Sequence, residues 1–311
     1  ISIAPVKVSR ALYLSNLILG LIGGSEGNGH PFSWSAIFNG YDKEEMLSSE
    51  YPVISRYLAQ EKWPAARIRN ATVDFVYTPS MSLSEKISKA SKIKNVVSDF
   101  NEMLGNIDGL LLARDDAENH LIYAKIFLET GIPIFIDKPI ALNSFALKKL
   151  WALQKYETQI FSCSSLSHAP ELLPKSQHLK EIGKIYEIVA KTPKTWNKYA
   201  IHIIEPLINY LNHVEIHKND WQKDIDSEIV SLQLVNSEDV HISLYALGQS
   251  SSEPISFYFK GEKGEIKVIP QNTFSYFKKS LKRFIDNIGR RKKIWESSLE
   301  HHEKVVSIIE M

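Results

Sequence analysis

The first half of the chain alternates short apolar runs with segments of helical periodicity. Apolar runs predict buried strands at residues 17–23, 71–78, 107–116, 132–139 and 159–165, with a brief further strand at 95–99. The segments between them predict helices, at residues 31–40, 52–60, 81–93, 117–131 and 143–157. Strands that alternate with helices at this spacing predict an α/β unit, in which helices cover both faces of a doubly wound parallel sheet.

The second half changes to a pattern of closely spaced strands. After helical segments at 169–183 and 197–211, further strands are predicted at 184–192, 228–235 and 239–247, and a hairpin turns at 262–264. This pattern predicts an α+β domain with a mostly antiparallel sheet, and the amphipathic segment 273–289 predicts a helix that can cover one of its faces. We therefore expect domains at 1–142 and 143–311, with residues 1–15 as an irregular extension outside the fold.

The composition is that of an ordinary globular chain of 311 residues, 44% apolar and 23% charged. Its 37 basic and 36 acidic residues leave a formal charge of +1, so no global field favours nucleic acid or a membrane surface as a partner. The single cysteine, Cys163, excludes a disulfide or a cysteine-based zinc site within one chain, and its apolar surroundings favour a buried thiol. We expect no metal, and a reducing, cytoplasmic location.

The apolar run that ends near Gly23 resembles the apolar part of a secretion signal, because Lys7 and Arg10 precede it. Ser15 and Asn16 interrupt the run, no small-residue cleavage site follows it, and it is too short to span a bilayer. A buried strand is therefore the favoured interpretation.

A glycine-rich turn follows the first predicted strand and precedes a predicted helix. Its candidate cofactor contacts are Gly23, Gly24, Ser25, Gly27, Asn28, Gly29 and His30. Without a Cβ, the backbone N–H groups of such a turn approach a diphosphate closely at the start of a helix. The glycines miss the G-x-G-x-x-G spacing, so the turn alone leaves dinucleotide binding and a flexible loop both open.

Polar residues also mark the ends of three later strands. The second strand ends at Thr78 and Ser80 without an acidic residue, so neutral hydroxyls would meet a cofactor ribose, and strict selectivity for NAD is disfavoured. The stretch "LLLARDDAENH" places four candidates where a strand gives way to a helix, namely Arg114, Asp115, Asn119 and His120. A helix cap is the structural alternative for Asp115.

The stretch "IFIDKP" places Asp137, Lys138 and Pro139 directly after a buried strand. A lysine there can stay partly buried beside a cofactor, and the following proline restricts its backbone to an extended conformation. The alternative is a surface lysine at a strand end. On a later helix, His202 and Glu205 lie three residues apart, a spacing that suits a carboxylate orienting an imidazole for proton transfer but also occurs on ordinary surface helices.

The order of these motifs resembles the glucose–fructose oxidoreductase/inositol dehydrogenase (Gfo/Idh/MocA) family over roughly residues 17–290. The resemblance implies a Rossmann domain that binds NAD or NADP, followed by an α/β domain that binds a sugar or polyol and supports a homo-oligomer, a dimer or a tetramer. It also implies that Asn119 and His120 lie near the cofactor ribose and that Lys138 contacts both nicotinamide and substrate. His202 would be the acid–base group, and Glu205 would orient it or bind substrate.

Three positions depart from the family pattern: Asp137 replaces a glutamate, and Lys198 and Ala200 replace an aspartate and a glycine. The leading hypothesis is a dehydrogenase that acts on a secondary alcohol of a sugar, cyclitol or related polyol. Lys198 and Ala200 favour the alternative of a nucleotide-binding regulatory or sensor protein without turnover. A weaker alternative is elimination or hydrolysis assisted by tightly held NAD.

Overall fold

The computed structural model describes residues 16–172, 177–211, 217–223, 230–235 and 239–311. The predicted extension at residues 1–15 lies outside the described residues. Two six-stranded sheets organise the chain, and each has its own apolar core. No helix within these ranges is both long and apolar enough to cross a membrane.

The first sheet is parallel throughout and has the strand order β3-β2-β1-β4-β5-β6. Its strands are β1 (Leu17–Ile22), β2 (Ala71–Tyr77), β3 (Asn95–Val96), β4 (Gly109–Leu112), β5 (Ile134–Ile136) and β6 (Ile160–Phe161). Its helices are α1 (His30–Asn39), α2 (Lys43–Leu47), α3 (Pro52–Ala59), α4 (Met81–Ser91), α5 (His120–Thr130) and α6 (Ser144–Ala152). Short 3-10 turns span Phe100–Met103 and Ala117–Asn119.

Neighbouring residues of one strand enter different cores, which shows that both faces of this sheet are covered. Leu111 packs in a core with residues of α1 and α4, whereas Leu110 and Leu112 pack in another with residues of α5 and α6. A strand buried on both faces needs an apolar residue at every position, because successive side chains point to opposite faces. The predicted doubly wound parallel sheet is confirmed.

The second sheet has the order β12-β11-β7-β10-β9-β8, and only the β7–β10 pair is parallel. Its strands are β7 (Ile185–Thr192), β8 (His217–Lys223), β9 (Val230–Val235), β10 (His241–Ala246), β11 (Ser256–Gly261) and β12 (Gly264–Val268). The remaining helices are α7 (Gln177–Glu181), α8 (Trp196–Tyr199), α9 (Ile201–Leu211), α10 (Thr273–Arg290) and α11 (Leu299–Ile309). The mostly antiparallel sheet is confirmed, whereas β8 and α11 were not predicted.

Helices α9 and α11 share the apolar core of the second sheet, through residues such as Ile204 and Val305. Helix α10, within the predicted segment 273–289, contributes Tyr276 to this core but packs mainly against the first sheet. Phe284 of α10 lies in the core of the first sheet, with its ring 5.7 Å from that of Phe135 and 5.6 Å from that of Phe161. Amphipathic periodicity predicts that a helix has a buried face, but it does not identify the sheet that receives this face.

Strand β6 lies beyond the predicted domain boundary at residue 142. Ile160 pairs with Ile134 and Phe161 with Phe135, so the first sheet continues through the segment 143–161. We propose that the boundary lies after β6 rather than after residue 142. Cys163 follows directly and is buried, as its apolar surroundings predicted.

Candidate active site

The glycine turn joins the carboxyl end of β1 to the start of α1, and its glycines serve two different needs. Gly23 is required by packing, because a Cβ there would lie 2.5 Å from Cγ of Pro31. Gly24 and Gly27 have left-handed backbones, with φ of 96° and 71°. A Cβ on Gly27 would meet nothing within 4 Å, so the backbone at this position is open to a ligand.

Side chains of the turn bind the ends of two neighbouring strands. The Ser25 hydroxyl donates to Asp115 after β4 at 2.8 Å. The side-chain amide of Asn28 donates to Asp137 after β5 at 3.1 Å. The amide oxygen of Asn28 accepts from the backbone N–H of His30 at 2.9 Å. The turn, Asp115 and Asp137 therefore lie together at the carboxyl edge of the sheet, where parallel α/β sheets bind ligands.

Asp137 is a buried carboxylate at the centre of this edge. It is 1% exposed, and its Oδ2 lies 2.5 Å from Nδ1 of His30. Burial alone would raise the pKa of this carboxyl, but the charges of His30 and Lys138 and hydrogen bonds from His30 and Asn28 outweigh it and lower the pKa to about 2. Asp137 is therefore ionised and accepts the hydrogen bond from Nδ1 of His30.

Lys138 has its backbone fixed by the same carboxylate, because its N–H donates to Oδ1 of Asp137 at 2.8 Å. The residue is 5% exposed, and its ammonium nitrogen lies 5.7 Å from the centroid of the Tyr199 ring. The Lys138–Pro139 peptide bond is cis, and Pro139 itself is buried. Lys138 thus reaches from the first domain towards α8 of the second.

His202 lies near the start of α9 and contacts a residue that the sequence did not single out. Its Nδ1 is 2.8 Å from the hydroxyl oxygen of Ser164, and its ring meets the edge of Tyr199 at a centroid distance of 5.2 Å. Burial, together with the charges of Lys138, His30 and Lys194, lowers the pKa of His202 well below its usual range, against the opposing effect of Asp137. The imidazole is therefore neutral at neutral pH.

Glu205 is fully buried one helical turn after His202. Its Oε2 accepts from the Ser164 N–H at 2.5 Å and from the Ser167 hydroxyl at 2.9 Å, and its Oε1 lies 3.3 Å from Nε2 of His301. The described hydrogen bonds include none between Glu205 and His202. Ser164 instead contacts both residues, through its hydroxyl to His202 and through its backbone N–H to Glu205.

Three residues that were predicted to contact a cofactor form hydrogen bonds within the protein. Arg114 donates to the Gly23 carbonyl at 2.9 Å and pairs with Asp116, which also accepts from Asn119 at 2.7 Å. His120 is fully buried, and its ring nitrogens lie 2.8 Å and 3.0 Å from backbone carbonyls. These contacts tie Arg114 to the glycine turn and engage polar groups of Asn119 and His120 within the protein, and the predicted cofactor contacts of the three residues remain predictions.

The hydroxyl groups that follow β2 form hydrogen bonds within the protein. The Thr78 hydroxyl is buried, donates to the Ser80 carbonyl at 2.6 Å and lies 2.9 Å from the Ser84 hydroxyl. The Ser80 hydroxyl caps α4. The two hydroxyls predicted to face a ribose are therefore engaged in the turn and the helix cap that follow β2.

A cleft of about 400 Å³ is lined by residues from both halves of the chain. The predicted site residues that line it are Gly27, Asn28, Gly29, His30, Asp115, Lys138 and His202. This volume is within the range of small-molecule sites, and the cleft joins the open backbone of Gly27 to two groups capable of proton chemistry. Gly23, Gly24, Ser25, Asp137 and Pro139 shape the surroundings of the cleft without lining it.

Sequence reasoning missed several residues that line the same cleft. Tyr51 and Tyr57 come from the long connection between α1 and β2, which follows no motif. Lys194 and Tyr199 come from the second domain, and Phe277 comes from α10. Tyr199 precedes His202 by three residues, so helical spacing was the one signal that could have found it.

Lys198, one of the departures from the family pattern, forms an ion pair across the domains. Its ammonium nitrogen lies 3.6 Å from Oδ2 of Asp115. Within the described ranges, no group of three or more His, Cys, Asp or Glu residues is arranged to hold a metal ion.

Residues 55–164 match the family model of Gfo/Idh/MocA oxidoreductases, which describes an NAD-binding Rossmann fold. The resemblance to this family is confirmed. The matched segment runs from α3 to Ser164, so it contains the ends of β2, β4 and β5 but neither the glycine turn nor His202. A nicotinamide cofactor is thereby supported at the level of the Gfo/Idh/MocA family.

Solved structures are similar over nearly the whole chain. A scyllo-inositol dehydrogenase from Lactobacillus casei with bound NAD(H) and scyllo-inositol matches with a TM-score of 0.66 at 13% identity, covering 95% of each chain. A myo-inositol 2-dehydrogenase from Lactobacillus plantarum matches with a TM-score of 0.69 at 12% identity, covering 95% of each chain.

An oxidoreductase from Thermotoga maritima matches with a TM-score of 0.67 at 16% identity, again covering 95% of each chain. At these identities the likeness shows the two-domain fold alone. The curated proteins include no match to this sequence.

Proposed function

We propose that this chain is an NAD- or NADP-dependent oxidoreductase that transfers a hydride between the nicotinamide ring and a secondary alcohol of a sugar, cyclitol or related polyol. The observation that carries the proposal is a single cleft lined by the open glycine turn, Lys138 and His202. The inositol dehydrogenases among the similar structures support the same substrate class. The predicted homo-oligomer and cytoplasmic location remain predictions.

A dinucleotide diphosphate fits the turn because the backbone of Gly27 is open and α1 begins directly after Gly29. The N-terminus of a helix favours an anionic group. Gly27, Asn28, Gly29 and His30 would hold the cofactor, while Ser25 and Asp137 fix the shape of the turn. When bound, the nicotinamide ring would accept the hydride from the alcohol carbon.

His202 and Lys138 would handle the proton of the alcohol. Nε2 of His202 has no hydrogen-bond partner among the described residues, and Nδ1 can donate to the Ser164 hydroxyl, which leaves the lone pair of Nε2 available. As the hydride leaves the carbon, the hydroxyl proton would pass to Nε2. The Lys138 ammonium would stabilise the negative charge that develops on the oxygen.

Binding and turnover test this proposal separately. Titration with NADH and with NADPH, followed by fluorescence and by melting temperature, should show saturable binding, because a ligand selective for the folded state stabilises it. Lys138→Ala and His202→Ala should abolish polyol oxidation without loss of fold, whereas His241→Ala, at an exposed position on β10, should be neutral. No binding of either cofactor would overturn the proposal.

Lys198 favours one alternative, a nucleotide-binding sensor without turnover. At this position the chain has a lysine, paired with Asp115, where the resemblance expects an aspartate. A bound nucleotide together with no turnover across a broad panel of sugars and cyclitols would support the sensor. Measurable oxidation of any member of the panel would exclude it.

A further inference from the structure

The cleft contains a cluster of cationic and aromatic side chains around Tyr199. The ammonium nitrogen of Lys194 lies 4.6 Å from the centroid of the Tyr199 ring, and that of Lys138 lies 5.7 Å from the same centroid. His202 packs against the edge of this ring. Hydride transfer as proposed uses Lys138 and His202, and it leaves Lys194 without a role.

The acidic residues in and beside the cleft have other partners. Asp115 accepts from Ser25 and pairs with Lys198, and Asp137 binds His30 and Asn28. The ion pairs of the described residues include neither Lys194 nor Lys138, and the ammonium of Lys138 has no hydrogen-bond acceptor among them although that residue is nearly buried. The Lys138 charge is nearly buried and Lys194 is half-buried beside it; buried charges are normally paired, so an anionic group of a ligand placed near both ammonium groups would complete this cluster.

The backbone of Lys194 gives an independent indication that its side chain has a role. Its φ is 63°, in the left-handed region that favours glycine. Reciprocal backbone hydrogen bonds hold it there, from Lys194 N–H to the Gly248 carbonyl at 2.8 Å and from Gly248 N–H to the Lys194 carbonyl at 3.2 Å. Such strain in a non-glycine residue is concentrated at functional sites.

The charge of Lys194 also acts on His202. After burial and the charges of Lys138 and His30, Lys194 contributes to the lowered pKa of His202. An anion bound between the lysines would offset these charges and bring the pKa of the imidazole back towards the range in which a histidine accepts a proton efficiently.

We infer that the alcohol substrate also carries a carboxylate or a phosphate, and that Lys194 binds this anionic group. The inference rests on the proposed function, because it assigns a substrate class to the same cleft. Sugar acids and sugar phosphates share the chemistry that an ammonium group recognises, so the experiment must separate them from each other and from the phosphates of the cofactor.

Calorimetric titration at constant ionic strength tests the inference without any turnover. The probes are a panel of sugars and cyclitols, each paired with its carboxylate and its phosphate derivative, together with inorganic phosphate. At least one charged derivative should bind about tenfold more tightly than its neutral parent, as expected for one charge-assisted contact. Lys194→Gln should remove this advantage, Lys194→Arg should keep it, and Lys148→Gln at an exposed position on α6 should change nothing.

Lys194→Gly is a second uncharged variant that should keep the fold. Glycine adopts the left-handed backbone without strain, so this substitution removes only the side chain. It should bind as weakly as Lys194→Gln. The inference is overturned if no charged probe binds more tightly than its parent, if the advantage survives in both uncharged variants, or if these variants weaken NADH binding instead. Failure of both NADH and NADPH to bind, with the anion preference intact, would overturn only the proposed function.

Discussion

Nδ1 of His30 lies 2.5 Å from Oδ2 of Asp137, so the first residue of α1 is bound to the residue that follows β5. The contact holds the glycine turn against the sheet edge that carries Lys138. The His30 ring also stacks on Trp34 at 5.2 Å and meets the edge of Phe277 at 5.0 Å, so its orientation is fixed by packing as well. Asp137, where the family resemblance expects a glutamate, is therefore matched by a histidine in the turn.

We predict that Asp137→Asn destabilises the protein by about 2.5 kcal/mol at neutral pH, because lowering a pKa from 3.8 to about 2 corresponds to this free energy at about 1.36 kcal/mol per pKa unit. The folded-state pKa of about 2 lies below the ordinary value of 3.8, so this stabilisation is complete above about pH 4 and is lost as the pH falls towards 2. When urea unfolding is measured across this pH range, the free energy of unfolding should fall less with decreasing pH in the variant than in the parent protein.

The matched control for this prediction is Asp74→Asn. Asp74 pairs with Lys94, whose side chain is 70% exposed, and exposed pairs contribute less than about 1 kcal/mol. Equal effects of the two substitutions would contradict the stabilising role of the His30–Asp137 contact.

The sequence predicted most of the fold because the buried strands leave a continuous apolar signal. The run 132–139 contains β5, and all three residues of that strand are buried. Strand β8 has the sequence "HKNDWQK", which shows no apolar alternation, so pattern reasoning missed it. Helix α11 was missed although Val305, Val306, Ile308 and Ile309 give it an apolar face.

The site was predicted less completely, because its contacts come from tertiary packing rather than spacing. The three-residue interval correctly placed His202 and Glu205 on one helix, but it could not reveal that Ser164 contacts both of them. His120 shows the same limit of reasoning from the sequence. A histidine at the start of a helix after a strand looks like a ligand-binding residue in sequence, whereas its two carbonyl contacts are visible only in the structure.

We predict that Gly27→Ala weakens NADH binding by more than its effect on stability explains. Because the backbone of Gly27 is left-handed, alanine at this position should lower the free energy of unfolding by about 1 kcal/mol. The added methyl group would project into the open space beside the turn. The matched control is Gly105→Ala, because Gly105 has a φ of 78° and also has nothing within 4 Å of its Cβ position. Both variants should lose similar stability in urea unfolding, and only Gly27→Ala should raise the Kd for NADH. Equal affinities in the two variants would place the cofactor elsewhere.

We predict that polyol oxidation retains activity at pH values below the usual histidine range, because the pKa of His202 is lowered by burial and by nearby cations. The neutral imidazole accepts the proton, so kcat/KM should fall only as the pH drops through this lowered pKa. Removing one cation by Lys194→Gln should raise the pKa of His202 and move the acidic limb to higher pH. An unmoved limb, with Lys148→Gln as the neutral comparison, would contradict an electrostatic action of Lys194 on His202.

The final prediction separates the positioning role of Ser164 from the structural role of Glu205. Ser164→Ala removes the hydroxyl 2.8 Å from Nδ1 of His202 but keeps the backbone N–H that donates to Glu205. We expect kcat to fall about tenfold, which corresponds to one lost hydrogen bond of about 1.4 kcal/mol, with little change in KM. Glu205→Ala should instead cost about 3 kcal/mol of stability, because it leaves buried groups of Ser164, Ser167 and His301 without their acceptor.

Ser167→Ala is the control for both effects. Its hydroxyl donates to Glu205 as the Ser164 N–H does, and the described hydrogen bonds include none from Ser167 to His202. Ser167→Ala should therefore lose about 1 kcal/mol in urea unfolding while its kcat and the pH dependence of its rate stay those of the parent protein. If Ser167→Ala lowers kcat as much as Ser164→Ala does, the effect of Ser164 is general loosening of the segment rather than orientation of the His202 ring.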